Sequence, residues 1–184
     1  MSEMKFPTEE IDLPSKGLIY DPKNPLSKGT VEMRYMTAKH EDILTNQSYI
    51  QKGTVLDKLL KALIVDKDVS LDDLIVGDKN ALLIASRILG YGKDYQVTIE
   101  GNEYTLDMST LEHKEIDFSK LEKGKNEFNY TLPSSEILIT YQLLTGKLEK
   151  SIEREIAGLK KLNKEVSPEL TTRLKHMITS VDGS

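Results

Sequence analysis

Apolar residues recur at helical spacing in some stretches of this chain and alternate in others, and the order of those stretches sets the expected fold. Residues 30–36 (TVEMRYM) alternate, with Val31, Met33 and Tyr35 on one face, and predict a short strand. Thr37 then suits a helix N-cap, with His40 and Glu41 in the first turn, and the helix is expected to run to about Ser48 before Gly53 breaks the chain. Thr54 is placed to cap a second helix, in which Leu56, Leu59, Leu60, Leu63 and Ile64 form a stripe while Asp57, Lys58 and Lys61 face outward. Ser70, followed by Asp72 and Asp73, marks a short helical turn. Asp78 is placed to cap a third helix over 79–89, where Ala81, Leu82, Leu83, Ile84, Ala85, Ile88 and Leu89 wrap most of the circumference. A helix apolar nearly all round belongs at the centre of a core, which puts Leu83 and Ile84 inside. Gly90 suits its left-handed C-terminal position.

The period then changes from 3.6 to 2. Residues 95–99 and 103–106, joined by a turn at 100–102, predict a hairpin, and residues 127–132 and 136–144, joined by Pro133-Ser134-Ser135, predict a second. The polar segment 107–126 between them is expected to be irregular. Helical spacing returns with Leu148, Ile152, Ile156, Leu159 and Leu162, and Ser167-Pro168-Glu169 opens a last helix expected to reach about Ser180. Helices, then antiparallel strands, then helices make an α+β layout: a helical core, two antiparallel hairpins forming a small sheet, and C-terminal helices.

The first 28 residues fit neither period. Pro7, Pro14, Pro22 and Pro25 fix φ and remove donors, so no regular helix can form there. The same stretch carries Phe6, Ile11, Leu13, Leu18, Ile19, Tyr20 and Leu26, too many apolar residues for a solvated linker. An extended arm satisfies both facts, lying either on a partner or on its own domain. The division expected is therefore an N-terminal arm over 1–28 and a single α+β domain over 29–184. In the partner-binding version Leu13, Pro14, Gly17, Leu18, Ile19, Tyr20 and Leu26 form the contact surface. Arg34 and Tyr35 anchor its junction with the domain, since both residue types are enriched at interface hot spots. Removing the arm would then leave the domain stable.

Composition narrows the chemistry. The net charge is −5 and cysteine is absent, which argues against broad nucleic-acid binding and excludes disulfides, thiolate nucleophiles and cysteine zinc sites. His40, His113 and His176 are isolated in sequence, Gly90-Tyr91-Gly92 ends a helix where a dinucleotide loop must start one, and Asp66-Lys67-Asp68 lacks the glycine and glutamate of a calcium loop. Lys160, Lys161 and Lys164 are interleaved with glutamates as on a solvated helix face. The N-terminus has acidic residues where a signal peptide is basic and apolar, and no apolar run approaches a membrane span. No catalytic, metal or cofactor residue is assigned, and the expectation is a non-enzymatic, soluble assembly protein with no membrane anchor. A metal-dependent hydrolase using scattered carboxylates is the remote alternative.

More specific is the segment over 13–46. Leu13-Pro14-Ser15, Gly17, Tyr20, Pro25-Leu26, Gly29, Glu32, Arg34, Tyr35, Met36-Thr37 and Glu41-Asp42-Ile43-Leu44 resemble the opening of the baseplate hub family of T-even-type contractile-tailed bacteriophages. Residues 77–92 (GDKNALLIASRILGYG), Leu132-Pro133 with the strand after it, and residues 171–183 (TTRLKHMITSVDG) are similar to later blocks of that family. The family typically runs on past its Val-Asp-Gly block, whereas this sequence ends at Ser184, so a shortened member or a fragment is expected. The resemblance implies a structural hub component, or an assembly chaperone that leaves the finished particle. Its implied partners are other hub, tail-tube or tape-measure proteins. It also implies a location in the infected host cytoplasm and, for a retained subunit, in the tail baseplate.

Overall fold

The computed structural model describes residues 7–112, 117–118, 121–162 and 167–183; Phe6, His113 and Lys164 lie outside them. The alternation in 30–36 becomes a strand, β2 (Thr30–Arg34), with Val31 and Met33 turned inward. Its antiparallel partner is β1 (Thr8–Asp12), Glu9 opposite Met33 and Ile11 opposite Val31. Both strands of this pair are therefore drawn from across the expected boundary at residue 28.

The loop between them corrects the arm. Leu13, Ile19, Tyr20 and Leu26 are buried and belong to the main hydrophobic cluster with Leu59, Leu60, Leu63, Leu74 and Leu82. Proline does exclude a long helix here, but the backbone groups find partners in successive tight turns: Lys16 N–H to Leu13 O, Leu18 to Ser15, Tyr20 to Gly17, Asn24 to Asp21 and Ser27 to Asn24. Asn24 caps a 3₁₀ turn, Pro25–Lys28, that begins on proline, and the Leu13 N–H donates to Gly29 O at 2.8 Å to close the loop. At Gly17, with φ +72°, a Cβ would stand 2.6 Å from Gly29 N and from Ser27 O, so only glycine lets the two ends of the loop touch.

The helical layer follows. The first predicted helix is two: α1 (Ala38–Leu44) and α2 (Gln47–Gln51), because the Asn46 side chain accepts from Tyr49 N–H and starts a new helix. α3 (Val55–Leu63) buries Leu59, Leu60 and Leu63 as its stripe requires. α4 (Val76–Tyr91) starts three residues before the expected 79–89 and ends at Gly92, not Gly90. Its buried positions are Asp78, Ala81, Leu82 and Ser86, while Leu83 and Ile84 are half-buried, so α4 packs along one side of the core rather than through its centre. Leu82→Ala is accordingly expected to cost about 2–5 kcal/mol in a urea melt, and Ile84→Ala less than half of that.

Beyond α4 come β3 (Asp94–Ile99) and β4 (Asn102–Asp107), then β5 (Phe128–Thr131) and β6 (Leu138–Tyr141). The two hairpins sit in different sheets: β3–β4 is a separate two-stranded ribbon, and β5–β6 gains a third strand, β7 (Ile178–Val181). α5 (Gly146–Leu162) and α6 (Glu169–Met177) complete the chain, α6 stopping three residues short of Ser180 because Ile178 and Val181, β-branched, pair together with Ser180 along the open edge of β6. The C-terminal half is tied to the core through the backbone: Val76 N–H to Leu144 O, Gly146 to Leu74 and Lys147 to Asp72. Beside that junction the Lys79–Asp57 ion pair (2.6 Å) links α4 to α3, and Lys150 joins α5 to Asp72 in the loop before α4 (2.6 Å) and to Asp57 of α3 (3.7 Å). The fold is α+β, with six α-helices and three small antiparallel sheets among the described residues. No helix among them is long and apolar enough to cross a membrane.

Candidate functional site

The most deeply buried charged side chain, Asp78, sits where the N-terminal loop meets the first turn of α4. Asp78 is fully buried and accepts three hydrogen bonds: from Ser15 N–H (3.0 Å), Ser15 Oγ (2.6 Å) and the Tyr20 hydroxyl (2.6 Å). Each donor is itself fixed. Ser15 Oγ accepts from Gly17 N–H at 3.1 Å, and the Tyr20 oxygen accepts from Ile75 N–H at 3.1 Å. Burial, then the charge of Asp78, hold the Tyr20 phenol far above its ordinary pKa, so it stays a donor at any physiological pH.

This corrects Asp78 from a helix cap to a tether: it lies inside the first turn of α4, makes no cap bond, and binds the loop 63 residues earlier. The knot joins a serine, a tyrosine and a carboxylate, but no imidazole enters it and each hydroxyl proton is already donated to Asp78. That arrangement holds two segments together and leaves no activated nucleophile.

The expected partner-binding residues divide in three. Leu13, Gly17, Ile19, Tyr20 and Leu26 are buried in the fold, so they are unavailable to a partner; Pro14 and Leu18 are half-buried beside them. Arg34 and Tyr35 lie at the far end of β2, away from the knot. The Tyr35 hydroxyl donates to Glu9 Oε2 at 2.7 Å, a bond that raises its pKa, and of the nine residues only Tyr35 is exposed. Arg34 shares a shallow pocket with Thr37, His40 and Ala62. Thr37 N–H donates to His40 Nδ1 at 2.9 Å, and desolvation, helped by Arg34, lowers the His40 pKa.

Next to the knot lies a larger cleft of about 690 Å³, walled by Ile19, Val76, Phe128, Tyr141, Leu144 and Met177 and bordered by Arg173. Its lining is chiefly apolar, and Phe128 and Tyr141 stack with ring centres 5.4 Å apart across β5 and β6. His176 is far from His40 in the chain and pairs with Glu155 at 2.9 Å between α6 and α5. Among the described residues no group of three or more His, Asp or Glu side chains is placed to hold a metal ion.

Large apolar side chains are also left open on regular elements: Tyr95, Ile99, Tyr104 and Leu106 on the β3–β4 ribbon, Tyr130 and Val181 at the outer end of the three-stranded sheet, and Leu162 and Leu170 on α5 and α6. Strand alternation placed Tyr95, Ile99, Tyr104, Leu106 and Tyr130 and helical spacing placed Leu162, whereas the strand that carries Val181 was not expected. The sequence reading missed them as surfaces because it assigned the binding role to the proline-rich segment. No protein-family model, curated protein or solved structure matches the chain.

Proposed function

We propose that this chain is an assembly component of a contractile-tailed bacteriophage baseplate hub and acts by protein–protein contact, not by catalysis. The observation that carries the assembly reading is the apolar surface exposed on three separate regular elements, with Leu162 at 87% and Leu170 at 71% exposure the extremes. Ordered apolar faces of this kind mark interaction sites on folded proteins. The hub assignment rests on the sequence resemblance. It is supported by the convergence of two of its blocks, since Ser15, Gly17 and Tyr20 of the first meet Asp78 of the second in one buried knot. A motif whose separated parts complete one hydrogen-bond network has a physical reason to recur as a unit.

The test is affinity capture of the tagged chain from infected cells, with mass spectrometry of both the captured proteins and purified particles. Hub, tail-tube or tape-measure proteins are expected in the capture. Fixed copy number in particles identifies a structural subunit, and absence from particles with retained capture identifies a chaperone. Capture of no tail protein would remove the hub reading.

A further inference from the structure

The β3–β4 ribbon is amphipathic, and its apolar face is left largely open among the described residues. The register sets Tyr95 opposite Leu106 and Val97 opposite Tyr104, with Ile99 at the end, so these five side chains share one face. Four of them are exposed: Tyr95 at 43%, Ile99 at 57%, Tyr104 at 52% and Leu106 at 41%. The other face carries Asp94, Gln96, Thr98, Glu103, Thr105 and Asp107. A two-stranded ribbon is marginal in water unless a third layer covers its apolar side.

We propose that this face binds the same face of a second copy, the two ribbons stacking about a two-fold axis with the tip of each over the base of the other. The charges favour this occupant. Arg87 lies at the base, 4.9 Å from the Tyr91 ring centre and 5.6 Å from that of Tyr95, which places its guanidinium on the apolar side. It donates only to the Gly92 and Asp94 carbonyls, and no carboxylate pairs with it among the described residues. Glu100 stands at the tip, in a two-residue turn with Gly101 where both φ angles are positive. Tip-over-base stacking brings each Glu100 to the other copy's Arg87, and a two-fold axis makes both pairs at once. The remaining acids, Asp94, Glu103 and Asp107, stay on the outer faces, with Lys93 already 2.6 Å from Asp107.

The area fits a weak, specific dimer. With Tyr91, the two faces together bury on the order of 1,200 Å², the lower edge of specific interfaces, so association is expected in the range of about 1–100 µM. Two packed ribbons also form a small sandwich with aligned strands, the ordinary geometry for such layers.

Sedimentation equilibrium on the full chain over about 5–500 µM tests this, with circular dichroism melts to confirm that each variant is folded. The wild type is expected to pass from monomer to dimer in that range. Ile99→Lys and Tyr104→Lys are each expected to weaken association at least about tenfold, and so is Glu100→Arg alone. Arg87→Glu combined with Glu100→Arg is expected to recover association to within about threefold of wild type. Glu100→Arg alters only an exposed turn, so it decides the matter even if Arg87→Glu disturbs the ribbon. A monomer throughout the range would overturn the proposal and assign the face to a different protein. A dimer indifferent to Ile99→Lys and Tyr104→Lys would also overturn it, by placing the contact elsewhere.

Discussion

Deleting residues 1–28 is expected to leave a chain that does not fold. The deletion removes β1, which pairs with β2 over five residue positions, and with it the loop that carries Leu13, Ile19, Tyr20 and Leu26 at 2%, 4%, 6% and 0% exposure. Each comparable loss from a core costs about 2–5 kcal/mol, and a domain of this size has only about 5–15 kcal/mol in all. The truncated chain would further expose Leu60, Leu63 and Leu82, which pack in the same cluster. Circular dichroism and size exclusion on the purified fragment would show an aggregating or unfolded species. A cooperative melt near that of the full chain would restore the arm as a separate element. Leu26→Ala in the intact protein, expected to cost about 2–5 kcal/mol, reports on the same packing without removing the strand.

The reversal of the arm has a physical lesson in it. Proline positions in 1–28 correctly excluded a long helix, and the chain turns at Gly17 and Gly29, both with positive φ. What they cannot reveal is whether an irregular segment is inside or outside. That depends on whether its backbone groups can bond to one another, and here Asn24, Ser15 and Asp21 supply the local side-chain acceptors. The seven apolar residues were the better signal, since a segment that hydrophobic needs cover. Periodicity did well where one face is buried: β2, α3 and both hairpins lie within a few residues of their expected places. It failed where tertiary contacts decide. α4 looked central because leucine, isoleucine and alanine surround it, yet Ile84 and Ile88 are only half-buried and packing is concentrated on Leu82. The end of α6 could not be read from helix signals either, because strand β7 exists only when β6 offers an edge. Asp78 was misread for a related reason: an acid near a helix start fits a cap, and only the fold shows Ser15 and Tyr20 arriving from another part of the chain.

Replacing Asp78 is expected to be among the most damaging single changes in the protein. Asp78→Ala would strand the Ser15 N–H, the Ser15 hydroxyl and the Tyr20 hydroxyl, all in surroundings from which water is excluded. Leaving several buried donors unsatisfied, two of them from short bonds to a carboxylate, costs about 3–5 kcal/mol. Asp78→Asn keeps one acceptor oxygen and should cost about 1–3 kcal/mol. Tyr20→Phe removes one donor from Asp78 and frees the Ile75 N–H, and a double-mutant cycle between positions 20 and 78 should show a coupling of about 0.5–3 kcal/mol. Coupling near zero would mean that the knot is not a unit. The pH dependence gives an independent readout. The folded-state pKa of Tyr20 is raised above its unfolded value of about 10, so the stability linked to it is fully present below that pH. Above it the unfolded chain loses the phenolic proton while the folded chain keeps it, so unfolding becomes easier as pH rises. Urea melts from about pH 8 to 11 should therefore show a steeper alkaline loss in the wild type than in Tyr20→Phe. Equal slopes would mean that the Tyr20 hydroxyl is not held as a donor to Asp78. If both tests hold, the serine, glycine and tyrosine of the first block and the aspartate of the second form a lock that sets the N-terminal loop against α4. The exposed apolar side chains of the ribbon, the outer sheet end and the last two helices all lie outside that lock.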